Sequence, residues 1–303
     1  MLTSKLKIIF AFAAVYLVWG STYLAISFAI ETIQPWSLTA IRFVLASLCM
    51  GLAALVAKES PLSKHEKRTS ALSGIFLVLA NGIVCVIERW VPSGITAVVI
   101  GAMPIWIMLV GWLGFGSGWP SARKLIGASI GLVGIAAIAV ADTRGGMTGT
   151  FARWAPLVLC SSSLLWAIGT LLQRNVKSVR SGISFLFVQM ASGAGAAILM
   201  SFIFESPLRF DWASVSEKSW LALGYLVVFG SLVGFTAYSW LSRNVEPHLV
   251  STYALVNPVI AVALGWLFAD EPLTMNFLIA TVLVLVGLGI LMSPLRKAEA
   301  SRS

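Results

Sequence analysis

Ten apolar blocks, each about 20 residues long and separated by short polar connections, run the length of this 303-residue chain. About 20 residues of helix cross the ~30 Å hydrocarbon layer of a membrane. A segment in hydrocarbon must satisfy its own backbone polar groups, which a helix does. The expected spans cover 8–30, 36–57, 70–88, 92–116, 122–141, 154–174, 182–204, 219–242, 247–269 and 273–293. The longest connections, 58–69, 142–153 and 205–218, are too short for a separate soluble domain. Composition agrees: 58% of residues are hydrophobic and 11% charged, against roughly 45–50% and about a quarter in soluble domains.

The net charge of +9 therefore reads as membrane orientation and not as a nucleic-acid surface. With the N-terminus on the cytoplasmic side, 15 Lys and Arg fall in cytoplasmic segments, 5 fall on the outer face, and Arg42 stays inside a span. That segregation predicts a bacterial-type inner (plasma) membrane protein, multi-pass, with both termini cytoplasmic. The opening stretch "MLTSKLKIIFAFAAVYLVWGSTYLAI" is charged and then apolar like a signal peptide. It runs past 20 apolar residues without a convincing cleavage site, so it reads as a retained first span. Cys49, Cys85 and Cys160 lie inside apolar blocks without CxxC spacing, as small hydrophobes do.

An internal repeat is visible. A shift of 154 aligns Arg89 with Arg243, Pro104 with Pro258, and Gly111-Trp112-Leu113 with Gly265-Trp266-Leu267. A shift of 147 aligns Trp19 with Trp166 and Arg42 with Gln189. The expected fold is all-α, integral to the membrane, with ten transmembrane helices in two inverted five-helix repeats. Residues 1–141 form the first repeat, 142–153 a linker, 154–293 the second repeat and 294–303 a cytoplasmic tail. Five is odd, so the second copy enters the membrane upside down, an architecture used by alternating-access transporters.

Several stretches resemble one family. They are "VWGSTYLAI" in the first span, "IRF" in the second, "ERWVPSGITAVVIGAMP" across the third and fourth, and "YALVNPVIAVALGWLFADEPLT" in the ninth. Together they resemble the drug/metabolite transporter superfamily, most closely its ten-span EamA-type branch. The resemblance implies a transporter of amino acids, drugs, dyes or other metabolites, with sugars and nucleotide-sugars among the cargoes of more distant relatives. One departure is plain: "GFGSGWP" follows the fourth span where "FADEPLT" ends the ninth, so the acidic end exists in the second half only.

The candidate site residues sit near mid-span. Pro104 and Pro258 each remove a helix hydrogen bond, freeing a carbonyl near Ile100 and Ala254, and either gate a cavity or pack as kinks. Trp19 and Trp166 are a repeat-related pair away from the interfaces where membrane tryptophans concentrate, and suit an aromatic wall for a flat or cationic solute. The alternative for both is core filling with a bonded indole N–H. Trp106 lies beside Pro104, Tyr23 and other small polar groups follow Trp19, and Asn81 and Asn257 are mid-span amides needing partners across helices. These six make the expected substrate-binding set. Trp36 and five other tryptophans read as interfacial anchors. Arg42 is the one charge well inside a span, and Glu88 is its expected partner, as an outer structural pair or as a substrate anchor with a titrating acid. Asp270 and Glu271 read as a turn first and a vestibule charge second. Gly127 and Gly131 form a GxxxG face, internal or a dimer contact.

The expected function is a secondary transporter exporting a small organic solute by alternating access through a cavity lined by spans 1, 3, 4, 6, 8 and 9. Protons are a candidate coupling ion through Glu88, and a uniporter or exchanger for sugars or other metabolites is the alternative. No P-loop supplies ATP chemistry, and both histidines lie in loops, which argues against a membrane enzyme; a channel is the remaining rival. The expected partners are the lipid bilayer and a small-molecule substrate, as monomer or homodimer, with no nucleic acid, cofactor or metal.

Overall fold

The computed structural model describes residues 4–140, 154–174, 176, 182–245 and 247–293, all helix, turn or loop, with no strand among them. The linker 142–153 and the tail 294–303 lie outside the described residues. The ten principal helices are α1 (Lys5–Ala29), α2 (Pro35–Val56), α3 (Lys64–Ile87), α4 (Ser93–Gly114), α5 (Ala122–Val140), α6 (Ala155–Arg174), α7 (Gly182–Phe204), α8 (Glu217–Leu241), α9 (Tyr253–Phe268) and α10 (Met275–Met292). Among the described residues eight are long and apolar enough to cross a membrane, α9 is a shorter apolar helix of 16 residues, and α5 is an apolar helix of 19 residues. The expected ninth span is thus divided: a short helix, Pro247–Val250, precedes α9.

Local chemistry sets the ends. Pro35 stands in the first turn of α2, where its missing N–H costs nothing. Ser63 and Glu66 close a capping box on α3, and Ser216 and Thr274 cap α8 and α10 through Ser219 N and Phe277 N. Two helices carry wide turns near mid-membrane, at Ala14–Val18 in α1 and Leu226–Val233 in α8.

Packing repeats with pseudo-two-fold logic. Helix α1 lies against α8 and α9, as α6 lies against α3 and α4. Likewise α2 meets α8 as α7 meets α3, while α2–α7, α4–α9 and α5–α10 pair across the axis. Glycine makes the closest approaches. A Cβ on Gly287 of α10 would stand 2.4 Å from the backbone N of Gly131, and one on Gly127 would stand 2.6 Å from the Gly287 carbonyl oxygen. The Gly127/Gly131 face is therefore occupied within the chain by α10. Large apolar side chains such as Leu48, Leu52, Leu55 and Phe202 point outward, as a lipid-facing surface requires.

Candidate functional site

The prolines come first, because they position everything else. In α4 the helix is interrupted at Ala102, whose N–H bonds the Val99 carbonyl at 3.2 Å, and it restarts with Pro104 in its first turn. Pro258 instead sits inside α9 without ending it. The two proline regions touch: a Cβ on Gly101 would lie 2.6 Å from Pro258 Cγ and 3.0 Å from the Ala254 carbonyl oxygen. The interruption of α4 and the Pro258 segment of α9 thus form one close-packed crossing between the repeats.

Beside that crossing lies a partly enclosed cavity of about 70 Å³. A water needs only ~10–15 Å³ of such space, so the cavity admits a few waters but no intact aromatic solute without expansion. Five of the six expected substrate-binding residues line it: Trp19, Tyr23, Asn81, Trp166 and Asn257. Trp106 is not among the lining residues. Six helices line it as expected, α1, α3, α4, α6, α8 and α9, and α2 joins them through Arg42.

An aromatic cluster forms one wall. The rings of Trp19 and Trp166 meet edge-on, 6.0 Å between centroids and 90° between planes. Trp19 also packs against Phe235 at 5.7 Å, Tyr238 at 5.1 Å and Tyr253 at 5.4 Å. Edge-to-face contacts of this kind contribute roughly 0.5–1.5 kcal/mol beyond area burial. The Trp19 indole donates to the Gly230 carbonyl, 3.2 Å away in the wide turn of α8, so Trp19 is a bonded core residue as well as a cavity wall. The Asn257 amide, oriented so that its nitrogen donates, reaches the carbonyls of Tyr253 and Tyr16 at 3.2 Å. It ties α9 to α1 just before Pro258.

Arg42 and Glu88 do not form the expected pair. Arg42 is 4% exposed; its Nε donates to Ser231 Oγ at 2.9 Å and its Nη1 to Asn81 Oδ1 at 3.1 Å. Its guanidinium also lies 5.1 Å from the Phe43 ring centre. A residue's depth along its helix does not fix the direction it faces, and Arg42 faces the cavity. The repeat-related Gln189 is also buried, but it donates to Ser73 Oγ at 2.9 Å and Gln173 Oε1 at 3.2 Å, a neutral network. Glu88 instead lines a second, open pocket of about 500 Å³ with Glu31, Arg89, Lys218, Asp270 and Glu271. It is buried with neither carboxyl oxygen hydrogen-bonded. A charged carboxylate in that situation costs several kcal/mol, a neutral one far less.

Sequence reasoning missed a set of carboxylate latches. Glu205, after α7, accepts from the N–H groups of Trp36 and Ser37 at the start of α2, at 2.7 and 2.9 Å. Glu59, after α2, returns the interaction to Ile183 and Ser184 at the start of α7, at 3.1 and 2.7 Å. The α4–α9 pair has half of this arrangement: Glu271 accepts from Ser93 and Gly94 N–H at 2.7 and 2.9 Å. Its counterpart by the shift of 154 is Ser117. The local backbone matches, since Ser117 N bonds the Gly111 carbonyl at 3.0 Å and Glu271 N the Gly265 carbonyl at 3.2 Å. The difference is the side chain: Ser117 brings no carboxylate. A helix N-terminus favours a carboxylate through its unpaired N–H groups and its dipole, so Glu271 holds the start of α4, and Ser117 offers no such group at the matching position. Asp270 takes φ 51°, the left-handed conformation that makes the turn.

Trp36 is a further correction. It is buried and not an interfacial anchor, its ring lying where a Cβ on Gly82 would be, and it stacks on Phe204 at 6.5 Å. Trp119 and Trp154 are well exposed, as interfacial anchors are.

An all-helical membrane bundle of two-fold packing with a buried site between its halves defines the class: a polytopic membrane transporter. The model of the EamA-like transporter family matches residues 6–140 and again 153–293, and this chain belongs to that family. It is 33% identical over 300 residues to "Uncharacterized inner membrane transporter YedA" of Escherichia coli strain K12, covering 96% of this chain and 94% of that one. It is 24% identical over 284 residues to "Uncharacterized transporter YvbV" of Bacillus subtilis strain 168, covering 91% and 88%. A solved crystal structure aligns with a TM-score of 0.65 at 17% identity, over 94% of this chain and 96% of that one, a likeness of fold alone.

Proposed function

We propose that this transporter exports a small organic solute, an amino acid or an aromatic or amphiphilic metabolite, by alternating access of the cavity between its two repeats. The observation that carries the reading is the convergence of repeat-related residues, Trp19 with Trp166, on one cavity. A site on the interface between inverted halves meets either face of the membrane when one half rocks against the other. The Lys and Arg bias puts both termini in the cytoplasm, so the vestibule holding Glu88 and Glu271 faces outward. In this reading Glu271 latches α9 to α4 on the outer side, and Ser117 stands at the matching position on the cytoplasmic side.

Protons are the proposed coupling ion. Glu88, buried in the vestibule wall without a hydrogen-bond partner, is the group that gains most from being neutral when closed in and charged when wetted. Uniport or exchange is the second reading, favoured by one observation: no Asp or Glu lines the cavity among the described residues. Counterflow in proteoliposomes of the full chain tests the proposal. Saturable counterflow of an amino acid or aromatic solute, lowered at least tenfold by Trp166→Ala in well-folded protein, is the expected result. Flux that does not saturate, or that ignores the substitution, sinks it.

A further inference from the structure

Arg42 is a buried charge held by neutral partners. Among the described residues no carboxylate approaches its guanidinium within ion-pair distance, and its two hydrogen-bond partners, Ser231 and Asn81, are neutral. Arginine stays charged when buried, and an uncompensated buried charge is costly. The structure accommodates this one with care. Gly230, where a Cβ would stand 2.9 Å from Nη2, leaves space for the fork, while Ser231 and Asn81 fix it through Nε and Nη1. Three N–H groups of the five remain uncommitted by those bonds, and Arg42 lines the central cavity. Four acids at this end of the bundle, Glu31, Glu88, Asp270 and Glu271, line the vestibule instead, and Glu205 is engaged by the start of α2.

A guanidinium held rigidly by neutral partners and turned toward a cavity matches a carboxylate, which it meets through two parallel hydrogen bonds. The rest of the lining mixes aromatic side chains, Trp19, Trp166, Phe235 and Tyr253, with neutral polar ones, Thr22, Ser162, Ser163 and Asn257, and offers no acid to balance an ammonium group. We infer that Arg42 is the anchor for the anionic group of the transported solute, and that the solute is an apolar, preferably aromatic, molecule carrying a single carboxylate. This deepens the reading of the cavity as the substrate site and rests on it. It runs against the cationic solutes that an aromatic wall alone invites, because Arg42 repels them.

The test is equilibrium binding, read by tryptophan fluorescence and by titration calorimetry on the full chain in nanodiscs. Three probes of one shape are compared: 3-phenylpropionate, its neutral amide, and phenethylammonium. Charge-assisted pairing gives an expected preference of about tenfold to a hundredfold for the anion over the amide, and weaker binding still for the cation. Arg42→Gln removes that preference, read as the ratio of the anion's affinity to the amide's. Arg42→Lys restores part of it. Asn81→Asp keeps the arginine but sets a carboxylate where Nη1 now meets an amide oxygen at 3.1 Å, so it also abolishes the anion preference and serves if Arg42→Gln does not fold. The assignment is overturned if the amide or the cation binds as tightly as the anion, if no probe binds, or if the anion preference survives both Arg42→Gln and Asn81→Asp. Trp166→Ala separates this inference from the reading beneath it. Binding of anion and amide alike must weaken if the cavity is the site; an Arg42-dependent preference untouched by Trp166→Ala contradicts the cavity, whereas Trp166-dependent binding without charge preference contradicts the anchor alone.

Discussion

Glu271→Gln is the perturbation that best separates a gate from a packing contact. The carboxylate holds two backbone N–H groups of α4 at 2.7 and 2.9 Å, and each hydrogen bond to a charged group contributes about 1.5–3 kcal/mol. The amide keeps one acceptor oxygen and loses the charge, so the outer latch weakens by about 1.5–3 kcal/mol. At 1.4 kcal/mol per decade, that shifts the closed-to-open ratio of the outer side by about tenfold to a hundredfold. The assay is the labelling rate of one cysteine at Ser163, a fully buried cavity residue, in a background where Cys49, Cys85 and Cys160 are replaced. A membrane-impermeant maleimide is applied from outside to intact cells. The expected result is a labelling rate at least tenfold faster in Glu271→Gln. Glu205→Gln, which loosens the equivalent bonds between α7 and α2, is expected to lower thermal stability without opening the cavity. Equal labelling rates in Glu271→Gln and the parent would refute the reasoning.

Other outcomes follow from the same coordinates. Gly101→Ala sets a methyl 2.6 Å from Pro258 Cγ and 3.0 Å from a backbone oxygen, an overpacking of about 1–3 kcal/mol; a lowered Tm in nanodiscs is the check, and an unchanged one would mean that the two proline regions do not meet. Gly287→Ala, whose Cβ would stand 2.4 Å from the Gly131 nitrogen, should destabilise the α5–α10 pair by a similar amount and leave the oligomeric state unchanged in native mass spectrometry. Glu88→Gln should keep counterflow and lose acceleration by an imposed pH gradient; if the gradient still drives the variant, Glu88 does not couple protons.

Much of the fold was legible because membrane chemistry leaves few choices. Blocks of fixed length, Lys and Arg segregation and repeated Trp and Pro positions led to ten helices, and the mid-span Trp19 and Trp166 led to the cavity wall. What stayed hidden was azimuthal. Arg42 sits six residues from the outer end of its expected span, a depth from which an arginine reaches the surface as easily as the interior, and only the wide turn of α8, which brings Ser231 within 2.9 Å, settles its direction. Trp36 was misread for the same reason: its position suits an interfacial ring, but the opening is Gly82 on a neighbouring helix. Glu271 was visible as the acidic end missing from the first repeat, yet its role depends on the start of α4, 177–178 residues away in sequence.

The central claim is that one cavity serves the two faces of the membrane in turn, and the cysteine at Ser163 tests it most directly. Its reaction with an impermeant maleimide is measured separately from the outside and from the cytoplasmic side, in the parent and in Glu271→Gln. Alternating access predicts labelling from both sides and a reciprocal change, faster from outside and slower from the cytoplasm when the outer latch is weakened. Rates that rise together on both sides would show a continuous pore, and labelling from one side alone would show a site that never alternates.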